Sequence, residues 1–407
     1  MPIDFGFGGN NLQNEWQVPS QVTPAHRRLG WINEVTEEGR NWLKVQRGAG
    51  DFRKALEVIS GRNIGPKIPE YRSQLTTNHL KRNIREIVGT LSKLRAFWGY
   101  SSENPALKAE AEMMNKTVRA WYLQVQADRS IKDALEYAAA TCTGWVRPVY
   151  SRDMAGTGKG NIRLLTYGSP CVLPCQLPAS GDFQNAYVVT ILDELPIYMA
   201  HSMFPAYQAQ LKPTSSMYWY ANEIRTSARG NLWNRLSMWR RNAQTDTGMS
   251  NLLCPIRYTY VIDLSINTTD QIIPMGEPGT TWYYEVPYVG MEMGNGQRAN
   301  ANDARLYPRR RLLISSESVV VYDGPAFDFH GRLPAIPFSL DKWPWEPIGF
   351  SPVRDGYDIQ ASMDELWRGA IDKFRAQNDM ALAYDINSVA SKEAKQFDPM
   401  QPRARIG

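Results

Sequence analysis

Between Lys342 and Tyr384 the chain reads KWPWEPIGFSPVRDGYDIQASMDELWRGAIDKFRAQNDMALAY, a stiff arm of prolines and aromatics that launches one uninterrupted helix. Pro344, Pro347 and Pro352 each fix a backbone angle and push the residue before them out of the helical region. Ser351 is placed to cap the helix, with Pro352 at the first helical position, where a missing amide donor costs nothing. Ile359, Met363, Leu366, Ala370 and Phe374 recur at helical spacing and share one face. No proline interrupts Val353 to Met380, so a rod of roughly 42 Å is expected at about 1.5 Å per residue. Asp364 and Glu365 can each pair with Arg368, at only about 0.2–0.5 kcal/mol per pair. The small residues Gly369, Ala370 and Ala376 permit close approach of another helix. Pattern alone fits an ordinary domain helix as well as a rod that meets a second chain.

The rest of the sequence bounds the setting of that helix. With 407 residues, 43% of them hydrophobic, the chain can bury a large core and divides into two or three subregions. A net charge of +5 is too small to mark a nucleic-acid binder by itself. The 13 Trp and 20 Tyr supply amphipathic contact area, which suits subunit interfaces and aromatic cores alike. The opening MPIDFGFGGNN has no basic region followed by an apolar stretch, so no secretion signal is expected, and no apolar run reaches the ~20 residues of a membrane span. Cys142, Cys171, Cys175 and Cys254 form no disulfide framework, which fits synthesis in a reducing compartment. Cys171 and Cys175 lack a matching second pair, so no zinc site is expected.

The first third reads as helix, through Ile32, Val35, Trp42 and Leu43, then through Phe52, Leu56 and Ile59. A longer stretch runs from a cap at Asn78 through Leu80, Ile84, Ile87, Val88, Leu91, Leu94 and Trp98. Asn104 and Pro105 open the helix carrying Leu107, Met114, Trp121 and Val125, and Asp128 or Ser130 opens one through Leu135 and Ala138 to Thr141. At Gly144 the character turns to strand: WVRPVY and NIRLLTY form a hairpin, followed by CVLPCQL and AYVVTIL. A helix is expected from Pro205 to Arg241. IRYTYVIDL, TWYYEV, RRLLIS and SVVVYDG then make a second β-rich region, with GNGQRANANDAR as an exposed loop. The class is α+β. Residues 1–143 form a helical region and 144–350 a β-rich region carrying the inserted helix 205–241, followed by the long helix 351–380 and a tail 381–407.

Catalytic motifs are weak. AGTGKGN from Ala155 lacks the first glycine and the hydroxyl residue of a phosphate loop and runs into a strand, so it reads as a hairpin tip. His26, His79, His201 and His330 stand singly, and no serine lies in a nucleophile elbow. No enzymatic activity, metal or cofactor is expected, although catalytic groups can assemble from distant segments. The basic clusters Lys81, Arg82 and Arg85; Arg240 and Arg241; and Arg309, Arg310 and Arg311 each suit a nucleic-acid backbone, a solvated surface or a subunit contact. The last follows a polar loop and precedes a strand, so the expectation is that the three cannot all be buried in one face.

The order of helices, mixed β region, Pro-rich arm and long helix resembles the portal, or head-to-tail connector, proteins of tailed bacteriophages. Pro347, Gly349, Ser351, Val353, Tyr357 and Gln360 carry the likeness at the passage from wing to stem. NHLKRNIREIVGTLSKL and IKDALEYAAATCTGWVRPVY look like the wing's helical pair and first hairpin. The resemblance implies a ring, usually of twelve copies, at one vertex of the virion capsid, assembled in the host cytoplasm. Double-stranded DNA would pass through it during packaging and ejection. The terminase large subunit, the major capsid protein and adaptor or tail proteins would be its partners, with no membrane and no catalysis. It makes the helix from Ser351 the first stem helix, with Ile359, Met363, Leu366, Ala370 and Phe374 as candidate subunit contacts. It makes the tail the start of a clip, where Lys392, Lys395, Arg403 and Arg405 join Arg309, Arg310 and Arg311 as candidate contacts to nucleic acid or a partner. The family's second stem helix, channel-lining loop and crown have no counterpart before Gly407. Another virion structural protein, an adaptor or minor capsid component without a channel, is the alternative reading.

Overall fold

The computed structural model describes residues 18–20, 23–47, 52, 55, 58, 77–93, 101, 104–151, 161–178, 181–212, 253–269, 271–275, 284–292, 297–327, 331–343, 346 and 348–378. Within them the fold is α+β. Helices α1 (Ala25–Arg47), α2 (His79–Lys93), α3 (Lys108–Gln124) and α4 (Ala127–Thr141) precede strands β1 (Gly144–Ser151), β2 (Asn161–Gly168), β3 (Val172–Gln176) and β4 (Val188–Pro196). Helix α5 (Ile197–Met203) is followed by β5 (Leu253–Val261), β6 (Ile273–Met275), β7 (Tyr284–Val286), β8 (Arg311–Ser315), β9 (Val320–Pro325), β10 (Ile336–Phe338) and finally α6 (Pro352–Asn378).

All strand pairs are antiparallel. A five-stranded sheet has the order β3-β4-β5-β8-β9, a three-stranded sheet the order β10-β1-β2, and β6 pairs with β7. Alternation along the central strands decides which layer each residue joins. Ile256, Tyr258 and Tyr260 of β5 and Leu312 and Ile314 of β8 enter the main core, together with Trp145 of β1 and Ile348 of the arm. Val261 of β5 and Leu313 of β8 point the other way, against Trp31, Ile32 and Val35 of α1. The sheet is therefore buried on both faces. A third cluster, made of Ile84 and Val88 of α2, Leu135 and Ala139 of α4, and Val353 of α6, joins the helices to one another.

Several boundaries follow local chemistry. Asn78 caps α2 by accepting from the Lys81 amide at 2.8 Å, and Asn104 accepts from Ala106 at 3.1 Å ahead of a short 3-10 turn, Pro105–Leu107. Helix α4 begins at Ala127 rather than at a cap on Asp128 or Ser130: Gln126 takes a left-handed backbone with φ 52, and Asp128 instead accepts from the Tyr122 hydroxyl at 2.7 Å. The helix expected from Pro205 is also corrected. A helix ends at Met203, Phe204 before the proline leaves the helical region with φ −128 and ψ 66, and Pro205–Tyr207 makes one 3-10 turn. The remainder of that expectation, 213–241, lies outside the described residues, as do the 152–160 hairpin tip and the tail 381–407.

Gly144, at the joint between α4 and β1, has the closest neighbour of the described glycines. A Cβ on Gly144 would lie 1.8 Å from the Ala134 carbonyl oxygen, so the helix rests on the start of the strand only because this side chain is missing. Gly30, on α1, meets nothing within 4 Å. Gly144→Ala is expected to abolish cooperative unfolding or lower stability severely in urea titrations. Gly30→Ala is expected to hold or raise stability by up to about 1 kcal/mol through helix propensity.

Candidate subunit-contact helix

The arm that launches α6 is fastened to α4 and to Thr143, just before β1, ahead of the helix start. Gly349 donates to the Thr143 hydroxyl at 2.9 Å, and a side chain there would meet the Asp341 carbonyl at 2.4 Å. The Ser351 hydroxyl donates to the Ala139 carbonyl at 2.6 Å and accepts from the Arg354 amide at 3.4 Å, so it caps α6 and ties it to α4 together. Trp343 packs edge-on against Phe350 with ring centroids 5.2 Å apart.

Helix α6 then docks through a face that its sequence does not advertise. Val353 is fully buried, and Gly356 admits Leu80 of α2, whose side chain would lie 2.5 Å from an added Cβ. Further along, the buried contacts are polar: Gln360 is 3% exposed and Asp364 is 2% exposed. One Asp364 oxygen accepts from the Thr77 amide at 3.0 Å, the Thr77 hydroxyl at 2.8 Å and the Gln360 amide at 3.0 Å. Gln360 also donates to the Thr77 carbonyl and accepts from the Leu80 amide at 3.4 Å. The side chains of α6 thus serve the otherwise unpaired amides at the start of α2.

The apolar stripe lies about a quarter-turn away from that docked face. Ile359 is 66% exposed, Leu366 74% and Phe374 67%, with Met363 and Ala370 half-buried between them and Trp367 exposed beside them. The five residues expected to share a face do share it, and the fold leaves most of it uncovered.

The arginine triplet behaves otherwise than expected. Arg309 is exposed, but Arg310 and Arg311 are buried and are corrected as surface contacts. Arg311 holds Asp323 bidentately at 2.7 and 2.8 Å and Asp263 at 2.8 Å, and it donates to the Pro19 carbonyl at 2.6 Å. Arg28 of α1 reaches the same Asp323. Burial alone would lower the pKa of Arg311, yet the two carboxylates hold it above its ordinary value. Arg310 spends its donors on the carbonyls of Gln184, Ala186 and Gly331, at 2.6, 2.8 and 3.4 Å, and burial lowers its pKa. Successive residues are buried because they face different neighbours, one the α1 layer and one a loop. Lys392, Lys395, Arg403 and Arg405 lie outside the described residues.

No family model matches the chain, and no curated protein matches it significantly.

A second polar group inside the fold was not singled out from sequence. Arg147 of β1 lies 4.1 Å from the centre of the Tyr258 ring, while the Tyr167 hydroxyl donates to Asp193 at 3.1 Å. Burial raises the Asp193 carboxyl above its ordinary range, against the opposing pull of Arg147. The signal in the sequence was Arg147 two residues after Trp145, an inward position by strand alternation. The cluster joins the two larger sheets. Among the described residues no group of side chains has the composition of a metal site, and no helix is long and apolar enough to cross a membrane.

Two tests follow from these contacts. Asp364→Ala is expected to lower stability by about 1–3 kcal/mol, because it orphans buried donors at Thr77 and Gln360, whereas Leu366→Ser on the exposed stripe is expected to change it by less than about 0.5 kcal/mol in urea unfolding of the unassembled chain. The raised folded pKa of Asp193 makes its contribution to stability full below the ordinary value of 3.8 and lost as pH rises through the folded value. Asp193→Asn is therefore expected to flatten that portion of the stability against pH, measured by denaturation across an acid to neutral series.

Proposed function

We propose that this chain is a portal, or head-to-tail connector, of a tailed bacteriophage: a non-enzymatic ring at one capsid vertex through which double-stranded DNA is packaged and ejected. The observation that carries the reading is α6, a 27-residue helix whose buried contacts past Gly356 include Gln360 and Asp364 while Ile359, Leu366 and Phe374 face outward. A helix that buries Gln360 and Asp364 while Ile359, Leu366 and Phe374 stay in solvent has a use for the outer face. Covering an exposed Ile, Leu or Phe stabilises an assembly by about 1.5–3 kcal/mol per side chain, more than any surface ion pair on the same helix.

In this reading α6 is the first stem helix, the helices and sheets before it form the wing, and the tail beyond it begins the clip that meets the terminase large subunit and adaptor or tail proteins. The wing would also face the major capsid protein. The ring would hold about a dozen copies, as in the family that the sequence resembles. With Arg310 and Arg311 committed to the interior, Arg309 is the member of that triplet left to meet DNA or a partner.

Native mass spectrometry of the full-length protein tests the proposal. A closed oligomer is expected, and the double variant Leu366→Ser, Phe374→Ser is expected to shift it towards monomer. A strictly monomeric full-length chain, at concentrations where portal rings assemble, would overturn it. Imaging of particles that places the chain away from the DNA entry vertex would favour an adaptor or minor capsid component instead.

A further inference from the structure

Helix α3 is a second helix with a largely uncovered face. None of its residues is buried, and it rests on the body through half-buried Val118, Trp121 and Tyr122. On its outer side Ala109, Met113, Lys116, Ala120 and Leu123 recur at steps of four, three, four and three, and all five are exposed. Met113 and Leu123 are 65% and 63% exposed. A single copy thus leaves two large apolar side chains of this face in solvent.

The two uncovered stripes complement each other. On α6 the large residues Ile359, Leu366 and Phe374 project, whereas α3 offers the small Ala109 and Ala120 on either side of Met113, so ridges on one helix have room in the other. Their charges also match. One edge of the α6 stripe carries Asp355, Asp358 and Glu365, with Lys373 only at its far end. The α3 stripe has Lys116 at its middle, and its edge carries Lys108, Glu112 and Arg119, a basic excess.

We propose that the outward stripe of α6 in one copy docks on the outer face of α3 in the next copy of the same chain, with Lys116 set against the Asp358 and Glu365 edge. The inference rests on the ring reading above and specifies its contact. Two different patches on one chain make a head-to-tail interface, which closes into a ring when the rotation allows, whereas one patch meeting itself stops at a dimer.

Charge exchange tests it on the full-length chain, since Lys116 and Glu365 are both exposed and neither holds the fold. Lys116→Glu is expected to weaken assembly about fivefold per contact in sedimentation, Glu365→Lys by a similar factor, and the double exchange to restore it. As a second readout, chains carrying Met113→Cys are mixed with chains carrying Leu366→Cys and treated with a short bismaleimide, the parent chain giving the background. A linked pair that forms only in the mixture supports the contact. Rings that form normally in Lys116→Glu and give no mixed cross-link would overturn the α3 contact while leaving the ring intact. A parent chain that never assembles would overturn the ring reading and this contact with it.

Discussion

The orientation of α6 depends on one polar junction. Asp364 and Gln360 close over Thr77 and the first amides of α2, and the negative carboxylate lies at the helix end where unpaired N–H groups gather positive charge. Val353 and Gly356 hold the preceding turn, the latter by admitting Leu80. Since these contacts fix the rotation of the helix about its axis, they also determine which residues face away. Ile359, Leu366 and Phe374 are exposed because Gln360 and Asp364 are not. Rotating the helix to bury the stripe would carry Gln360 and Asp364 away from Thr77 and Leu80, whose amides would lose these acceptors at about 1–3 kcal/mol for each buried group left unpaired.

The same principle governs the interior arginines. Asp263 and Asp323 offset the cost of burying the Arg311 charge in the core, and the contact of Asp323 with Arg28 ties α1 to the five-stranded sheet. Arg310 is served by three carbonyls among the described residues, which is adequate for hydrogen bonding but does not offset burial in the same way. Two neighbouring arginines thus face opposite electrostatic surroundings. A patch that reads as solvent-facing by its sequence instead helps the sheet to hold its first helix.

Local signals made some of this legible. Ser351 and Pro352 marked the start of α6, Asn78 marked the cap of α2, and the change to strand appeared at Gly144, because each depends on residues close in sequence, whereas Asn104 serves a 3-10 turn and α3 starts only at Lys108, without a side-chain cap. The spacing of Ile359, Met363, Leu366, Ala370 and Phe374 gave a common face, but not which face would be covered. That decision belongs to Thr77, almost three hundred positions away, and to polar residues that pattern analysis assigns to solvent. Arg310 and Arg311 depart from their sequence pattern for the same reason: their partners come from other strands and from a loop. The break at Gln126 had no proline or glycine to announce it, and α5 ends at Met203, ahead of the helix expected from Pro205.

A helix held by buried Gln360 and Asp364, with Ile359, Leu366 and Phe374 left open and its start fastened to α4, suits a wall built from repeated copies. The most direct measurement of that claim is electron microscopy of the purified full-length protein, viewed down the axis of its assembled form. The account predicts a closed ring with α6 from each copy packed against a neighbour around a central channel wide enough for duplex DNA. Particles without a channel, or a ring in which Ile359, Leu366 and Phe374 remain facing solvent, would contradict it.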